Sequence, residues 1–339
     1  MQRGPDAPLV LVTGATGAVG PAVVRRALDE GYRVRTLSRH GAPPALLPSA
    51  TDARVGDVRD ADAVDRVLSE IDYVLHLAAV LHRVGTSPEE TREYAEINAS
   101  ATRTLVDRAV ARGVQRIVLF STISVYGEER DVVADEETAP APDTPYARTK
   151  LEAERIVLDQ AKRDGRPLGV VLRLAAVYGP RLRGNYRRMV RHLAQGRPMP
   201  VRPGGNQRTL VFDEDAAAAA VLALRHPAAA GRVYNVTDGS THSVRDMTDA
   251  ICAALGRRPP RVGVPASVLR GAVQMAARTR VPPIVRLNGM LEKYTQNISV
   301  DGSRLRRELG FVPRVGLAEG WRRTVAGLRR DGVLIDGAD

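Results

Sequence analysis

The chain has 339 residues, of which 44% are hydrophobic and 26% charged, enough for a full buried core in one large domain or two coupled ones. Its net charge is +11, yet acidic and basic residues are interspersed with no run of five or six like charges, and aromatics are only 4%. A nucleic-acid tail and stacking platforms for single strands are therefore not expected. The longest apolar run, "AAAAAVLAL", is far short of a membrane span, and the opening "MQRGPDAP" has no signal-peptide core. The expected compartment is the cytoplasm. The single cysteine, Cys252, lies in an Ala-rich helical stretch and reads as a small core residue.

The predicted elements begin with the strand "PLVLVTG", which runs into "VTGATGAVG" and then the helix "PAVVRRALDEG". Gly14, Gly17 and Gly20 are spaced by three. A glycine triplet between an apolar strand and a helix lets backbone approach a pyrophosphate, and the helix N-terminus offers free N–H groups. Thr16, Gly17, Ala18, Val19 and Gly20 are thus candidate cofactor contacts, with Gly14 at the turn. The second strand, "YRVRTLSR", ends without the acid that would accept from an adenosine ribose 2′-hydroxyl; Ser38 and Arg39 stand there instead. Arg39 can pair with a 2′-phosphate, so the reading is NAD or NADP with a lean to NADP.

Further strands are predicted at "ARVGDV", "YVLHLAAV", "RIVLFST" and "GVVLRLAAVYG", alternating with helices near 18–30, 60–70, 88–111 and 145–164. Near-continuous apolar strands between amphipathic helices specify a parallel sheet buried on both faces, a doubly wound α/β domain. In "TPYARTKLEAE", Thr144 is a good N-cap and Pro145 suits the first helical position. Tyr146 then falls in the first turn, with Lys150 on the same face. Lysine is scarce here: three lysines against 47 arginines, so position 150 is not filled by general usage. A nearby ammonium and the helix dipole are expected to pull the phenol pKa down, fitting Tyr146 as an acid/base. "FSTIS" offers Ser121, Thr122 and Ser124 at the end of the fifth strand.

After Pro180 the pattern changes to a loop and helix, "RLRGNYRRMVRHLAQG", then "QRTLVFDEDAAAAAVLAL" as strand and helix, "GRVYNVTDG" as a strand, and mostly helical text from 241. The expected organisation is a Rossmann dinucleotide-binding domain over 1–180, with 209–240 returning to it. A smaller, mostly helical substrate domain comprises 181–208 and 241–330.

"TGATGAVG", "GDVRD", "HLAA", "FSTISVYG", "YARTK", "LRLAAVYGP" and "QRTLVF" together resemble the extended short-chain dehydrogenase/reductases, and within them the NAD-dependent epimerase/dehydratase family of nucleotide-sugar enzymes. The resemblance implies that Thr122, Tyr146 and Lys150 are catalytic and that Asp57 and Val58 border the adenine. It also implies that Leu77, Ala78 and Ala79 line the phosphate and ribose side, and that Val177, Tyr178 and Pro180 shape the nicotinamide end. Asn98 matches the family's helix asparagine, a structural position near the site. On the substrate side it implies Arg208 and Asn185 on the diphosphate and His82 in the loop after "HLAAV", with a nucleoside-diphosphate sugar as ligand, no metal, and a homodimer.

Two departures narrow the chemistry. Ala176 replaces the asparagine that often precedes "VYGP", so one substrate contact is lost or moved. Ile123 and Ser124 replace the Asp-Glu pair of the 4,6-dehydratases, and Ser124 also replaces the glutamate of decarboxylating members. Elimination needs an acid and a base at those positions. What remains is epimerisation at C4 of a UDP-type sugar, or NADPH-dependent reduction of a 4-keto sugar nucleotide. A hydroxysteroid-type alcohol dehydrogenase would share the same triad without needing Arg208 or Asn185. A non-catalytic NAD(P)-bound subunit would not need Tyr146 and Lys150.

Overall fold

The computed structural model describes residues 7–43, 45–81, 87–127, 133–197, 206–260 and 297–334. Its centre is a seven-stranded sheet built from β1 (Leu9–Thr13), β2 (Arg33–Ser38), β3 (Thr51–Val55), β4 (Tyr73–His76), β5 (Arg116–Thr122), β8 (Gly169–Leu174) and β11 (Val233–Val236). The order is β11-β8-β5-β4-β1-β2-β3, and every pairing is parallel. The chain reverses direction across the sheet between β1 and β4, where the crevice of a doubly wound fold opens.

Period-two alternation explains why the strands read as continuous apolar runs. Val10 and Val12 pack into one hydrophobic cluster with α1 (Gly20–Asp29) and α7 (Asp213–Arg225). Leu9 and Leu11 point the other way, into a cluster with α2 (Ala61–Val67), α4 (Ala101–Ala111) and α5 (Pro145–Gln160). A third cluster lies beside the sheet. There Tyr178, Phe212 and Trp321 pack with α6 (Gly184–Ala194), α8 (Val244–Leu255) and α10 (Leu317–Arg330); α9 (Ser303–Leu309) lies against the first cluster instead.

Three predicted elements divide. "GVVLRLAAVYG" splits into β8 and β9 (Ala176–Tyr178), because β9 leaves the large sheet to pair with β10 (Gln207–Phe212). β10 also pairs antiparallel with β12 (Thr241–Ser243), giving a separate three-stranded sheet. The predicted helix over 88–111 is α3 (Pro88–Tyr94), a π-helical turn at Ala95–Ser100, and α4. The helix expected to reach 164 stops at Gln160, and a hairpin of β6 (Lys162–Arg163) and β7 (Arg166–Pro167) follows. Asp164 and Gly165 at its tip both have positive φ, the conformation an Asp-Gly hairpin turn requires.

Candidate active site

The site begins where β1 ends. Gly14 has φ +72°, and a Cβ there would meet Ala78 N at 2.7 Å, so only glycine lets the first turn lie against the chain leaving β4. Val19 precedes α1 without a side-chain cap, which leaves the helix N–H groups open toward the cleft. Thr16, Gly17, Ala18, Val19 and Gly20 line a cleft of about 710 Å³ together with Gly14. Its far wall is Asp57 and Val58 after β3, and Leu77, Ala78 and Ala79 after β4. Arg39 lies on its rim, and Asp57 is held in a two-pronged pair by Arg59, at 2.7 Å at its shortest. That hydrogen bond, offsetting burial and aided by the Arg39 charge, keeps the Asp57 carboxyl below the usual carboxylate range.

Thr122, Tyr146, Lys150 and Val177 line the same cleft. Thr144 Oγ1 accepts from Ala147 N–H at 3.2 Å, and Pro145 follows it, so α5 starts where Tyr146 falls in its first turn. Thr122, whose Oγ1 donates to Ser124 Oγ at 3.1 Å, acts on the Tyr146 phenol, and the Tyr94 ring stands edge-on to Tyr146 with centroids 6.1 Å apart. Burial pushes the Tyr146 phenol up to about 12, against the lowering by Thr122. The sequence-based expectation of a lowered phenol thus reverses, because desolvation outweighs the lowering by the Thr122 hydroxyl. Lys150 is 3% exposed; burial brings it down to about 8, and the Glu154 carboxylate one turn on opposes that fall.

Two buried networks support these groups. In the first, Asn98 sits in the π-helical turn; its Oδ1 accepts from Val80 N–H at 2.9 Å and its Nδ2 donates to Val80 O and to Thr149 Oγ1. Thr149 in turn donates to Tyr146 O at 3.0 Å. Close by, His76 bridges Thr13 Oγ1 at Nδ1 (2.7 Å) and Thr102 Oγ1 at Nε2 (2.9 Å). Because Thr102 donates to Asn98 O, it must accept from Nε2–H, and Thr13 therefore donates to Nδ1. Burial, and then the Lys150 charge, bring His76 down to about 3.

The second network was not foreseen from the sequence. Arg173 grips Glu154 with NH2–Oε2 at 2.7 Å, Ser121 donates to the same carboxylate, and Arg173 also donates to Tyr126 OH at 3.0 Å. Tyr126 passes the chain to Asn235 Oδ1 at 2.9 Å. The available signal was Glu154 itself, four residues beyond Lys150 on one helix face.

The substrate-side residues are placed differently. Arg208 is buried on β10, where its charge reaches Tyr186 of α6, and it does not line the cleft. Asn185, in the first turn of α6, also lies off the cleft, whereas Arg183, two residues earlier, lines it. His82 falls outside the described residues. Leu81 and Ala176 give this end an apolar wall that motif spacing did not reveal.

The residues present fit a dinucleotide: Ser38 Oγ, in the wall beside Arg39, is buried without a hydrogen-bond partner, matching a polar group on an adenosine ribose. Among the described residues no helix is long and apolar enough to cross a membrane.

The sequence pattern of the family described as NAD dependent epimerase/dehydratase matches residues 10–237. UDP-glucose 4-epimerase of Vibrio cholerae is 29% identical over 93% of this chain and 94% of its own. 2-Alkyl-3-oxoalkanoate reductase of Stenotrophomonas maltophilia (strain K279a) is 28% identical over 94% of this chain and 98% of its own. Among solved structures, MoeE5 in complex with UDP-glucose and NAD is 30% identical, with a TM-score of 0.75 over 95% of this chain and 99% of that one. With a glycine turn, a Thr-Tyr-Lys constellation and this match over most of its length, the chain belongs to the NAD-dependent epimerase/dehydratase family, enzymes of the extended short-chain dehydrogenase/reductase type.

Proposed function

We propose that this enzyme carries out hydride transfer at C4 of a nucleoside-diphosphate sugar, as a UDP-sugar 4-epimerase or as a reductase of the 4-keto sugar. The observation that carries the reading is one cleft with the glycine turn at one end and Thr122, Tyr146 and Lys150 at the other. The relatives that act on or bind UDP-sugars support the substrate class.

When bound, the nicotinamide coenzyme supplies or accepts the hydride. Gly14, Gly17 and the open N-terminus of α1 hold its pyrophosphate. Ser38 and Arg39 meet the adenosine ribose, and with no acid at the end of β2 they favour a 2′-phosphate over a 2′-hydroxyl. Thr122 fixes the reacting oxygen against the Tyr146 hydroxyl. Held near 12, Tyr146 carries its proton throughout the neutral range, so it is a donor to a carbonyl oxygen. That is the reductive half-reaction, which an epimerase and a ketoreductase share. Lys150, kept partly charged by Glu154, is a compact cation for the coenzyme ribose hydroxyls and for the phenolate left after proton transfer.

Incubation with UDP-, GDP- and dTDP-sugars, followed at 340 nm and by NMR of products, tests the proposal. A C4-inverted sugar without net redox change identifies the epimerase, and net NADPH consumption on a 4-keto sugar identifies the reductase. No turnover of any sugar nucleotide by coenzyme-loaded protein sinks both.

The apolar wall favours a second reading, an alcohol dehydrogenase or ketoreductase of a hydrophobic substrate. Leu81 is 53% exposed at the cleft, and Ala176 offers no polar group. Under that reading Arg183→Ala leaves activity intact; under the sugar-nucleotide reading it raises KM.

A further inference from the structure

Lys150 and Glu154 stand one turn apart on the buried face of α5. At i, i+4 such side chains reach each other, and an ion pair is what local spacing predicts. None forms. Among the described residues Lys150 makes no ion pair and no hydrogen bond, although it is buried. An ammonium out of water without a partner is unfavourable, and the reason it goes unpaired lies in what holds Glu154.

The Glu154 carboxylate, 1% exposed, is already taken. Its Oε2 accepts from Arg173 NH2 at 2.7 Å, and both oxygens accept from Arg173 Nε at 3.1 Å. Ser121 Oγ donates to Oε1. Ser121 and Arg173 are register partners on β5 and β8, so they meet the carboxylate side by side. The guanidinium is itself fixed: NH1 donates to Tyr126 OH at 3.0 Å, and its carbon lies 4.8 Å over the Tyr126 ring. A planar fork held in this way competes for a carboxylate better than an ammonium on a flexible stem.

The other elements packed on α5 offer Lys150 no counter-charge among the described residues. The Lys150 charge reaches His76 on β4, which burial keeps neutral. Tyr146 on its own helix, Tyr94 on α3 and Tyr126 just after β5 are phenols. Glu96 of the π-helical turn pairs with Arg59, and Glu152 of α5 pairs with Arg103 of α4. Glu154 is the one acid whose charge reaches Lys150, and Arg173 holds it.

We infer that Arg173 is a positioning residue for Lys150. By occupying both oxygens of Glu154, it leaves the carboxylate near enough to favour the ammonium and unable to draw it down the helix. Lys150 therefore stays at the cleft with Tyr146. The inference rests on the hydride-transfer reading above and is independent of which sugar or nucleotide is bound.

With only three lysines in the chain, the test is direct. Full-length protein labelled with carbon-13 at lysine Cε gives one signal each for Lys150, Lys162 and Lys293, and Lys150→Arg assigns the first. Its NMR titration reads the ammonium without any substrate, and the wild-type midpoint should lie at about 8. Arg173→Met frees Glu154 to pair with Lys150, so the midpoint should rise by about one unit. The kcat on the substrate found in the sugar panel should fall by about 10²-fold, the cost of a misplaced group. Glu154→Gln removes the carboxylate, so its midpoint should fall by about one unit. E154Q/R173M removes both buried charges together, a change that folds tolerate, and should also titrate below the wild type. A purely structural clamp would lower stability and kcat and leave every midpoint in place. Equal midpoints in the wild type, R173M and E154Q overturn the inference. Should R173M not fold, the double variant decides, and a midpoint at or above the wild type overturns it equally. Shifted midpoints in a protein that turns over no sugar nucleotide keep the clamp and sink the sugar-nucleotide reading. Equal midpoints in one that epimerises or reduces a sugar nucleotide do the reverse.

Discussion

Asn98 donates from Nδ2 to Thr149 Oγ1 at 3.2 Å, and Thr149 donates to the carbonyl of Tyr146 at 3.0 Å. The same side chain takes both polar groups of Val80, in the segment after β4 that lines the cleft. One buried amide thus fixes the distance between the β4 side of the cleft and the first turn of α5. The π-helical turn at Ala95–Ser100 is what brings it there, and its own Asn98 carbonyl is used by Thr102.

Replacing Asn98 by Ala leaves Val80 N–H and Thr149 Oγ1 short of a partner inside the protein. Leaving those groups unsatisfied costs about 2–4 kcal/mol. Urea denaturation measures the loss. Asn98→Asp keeps the acceptor for Val80 N–H but cannot donate to Thr149, so it should recover only part of it.

Tyr146→Phe should keep the fold and coenzyme binding and reduce kcat by about 10²–10⁴-fold, the usual worth of a positioned proton donor. Lys150→Arg should also fold and lose most activity, because a broad planar fork does not fit a space made for an ammonium. Steady-state kinetics on the product found in the sugar panel, with coenzyme fluorescence as the binding control, reads both. Near-normal turnover in either variant removes that residue from the mechanism.

Acid should find His76. Its folded pKa, about 3, lies below its ordinary 6.5, so between those values the unfolded chain binds the proton that the folded one refuses. Stability is therefore full above pH 6.5 and is lost as the pH falls, by about 1.4 kcal/mol per unit. Denaturant midpoints of the wild type and His76→Gln between pH 6.5 and 4.5 should show a slope that is steeper in the wild type by that amount.

Arg39→Asp should invert coenzyme choice. The change removes the cation available to a 2′-phosphate and installs an acceptor for a 2′-hydroxyl, so the NADPH/NADH ratio of kcat/KM should fall by about 10²-fold. An unchanged ratio would show that the rim arginine does not read that position, and would leave Ser38 as the ribose contact to test next.

Local patterns disclosed much of the site. The glycine triplet, Thr144 as N-cap, Pro145 behind it, and Tyr146 and Lys150 on one helix face are all short-range features, fixed by turn geometry and helical period. The division of "GVVLRLAAVYG" between two sheets was hidden, because β8 and β9 have the same apolar character and differ only in their partners. Arg173 and Glu154 could not be paired from the sequence either, since 19 residues of chain and a change from helix to strand separate them.

By itself, the sequence determined the doubly wound parallel sheet, the position of the glycine turn and the placing of Tyr146 and Lys150 on one helix face, because strand apolarity, glycine spacing and helix caps act over a few residues. The tertiary structure decided what those groups are chemically. Burial raises Tyr146 against the Thr122 hydroxyl and lowers Lys150 against the Glu154 charge, and at His76 it acts together with the Lys150 charge; burial is a property of the packed chain rather than of any stretch of it. It also decided that Arg183 reaches the cleft while Arg208 lies buried beneath α6 and apart from it, since which arginine faces the mouth depends on how α6 and β10 pack.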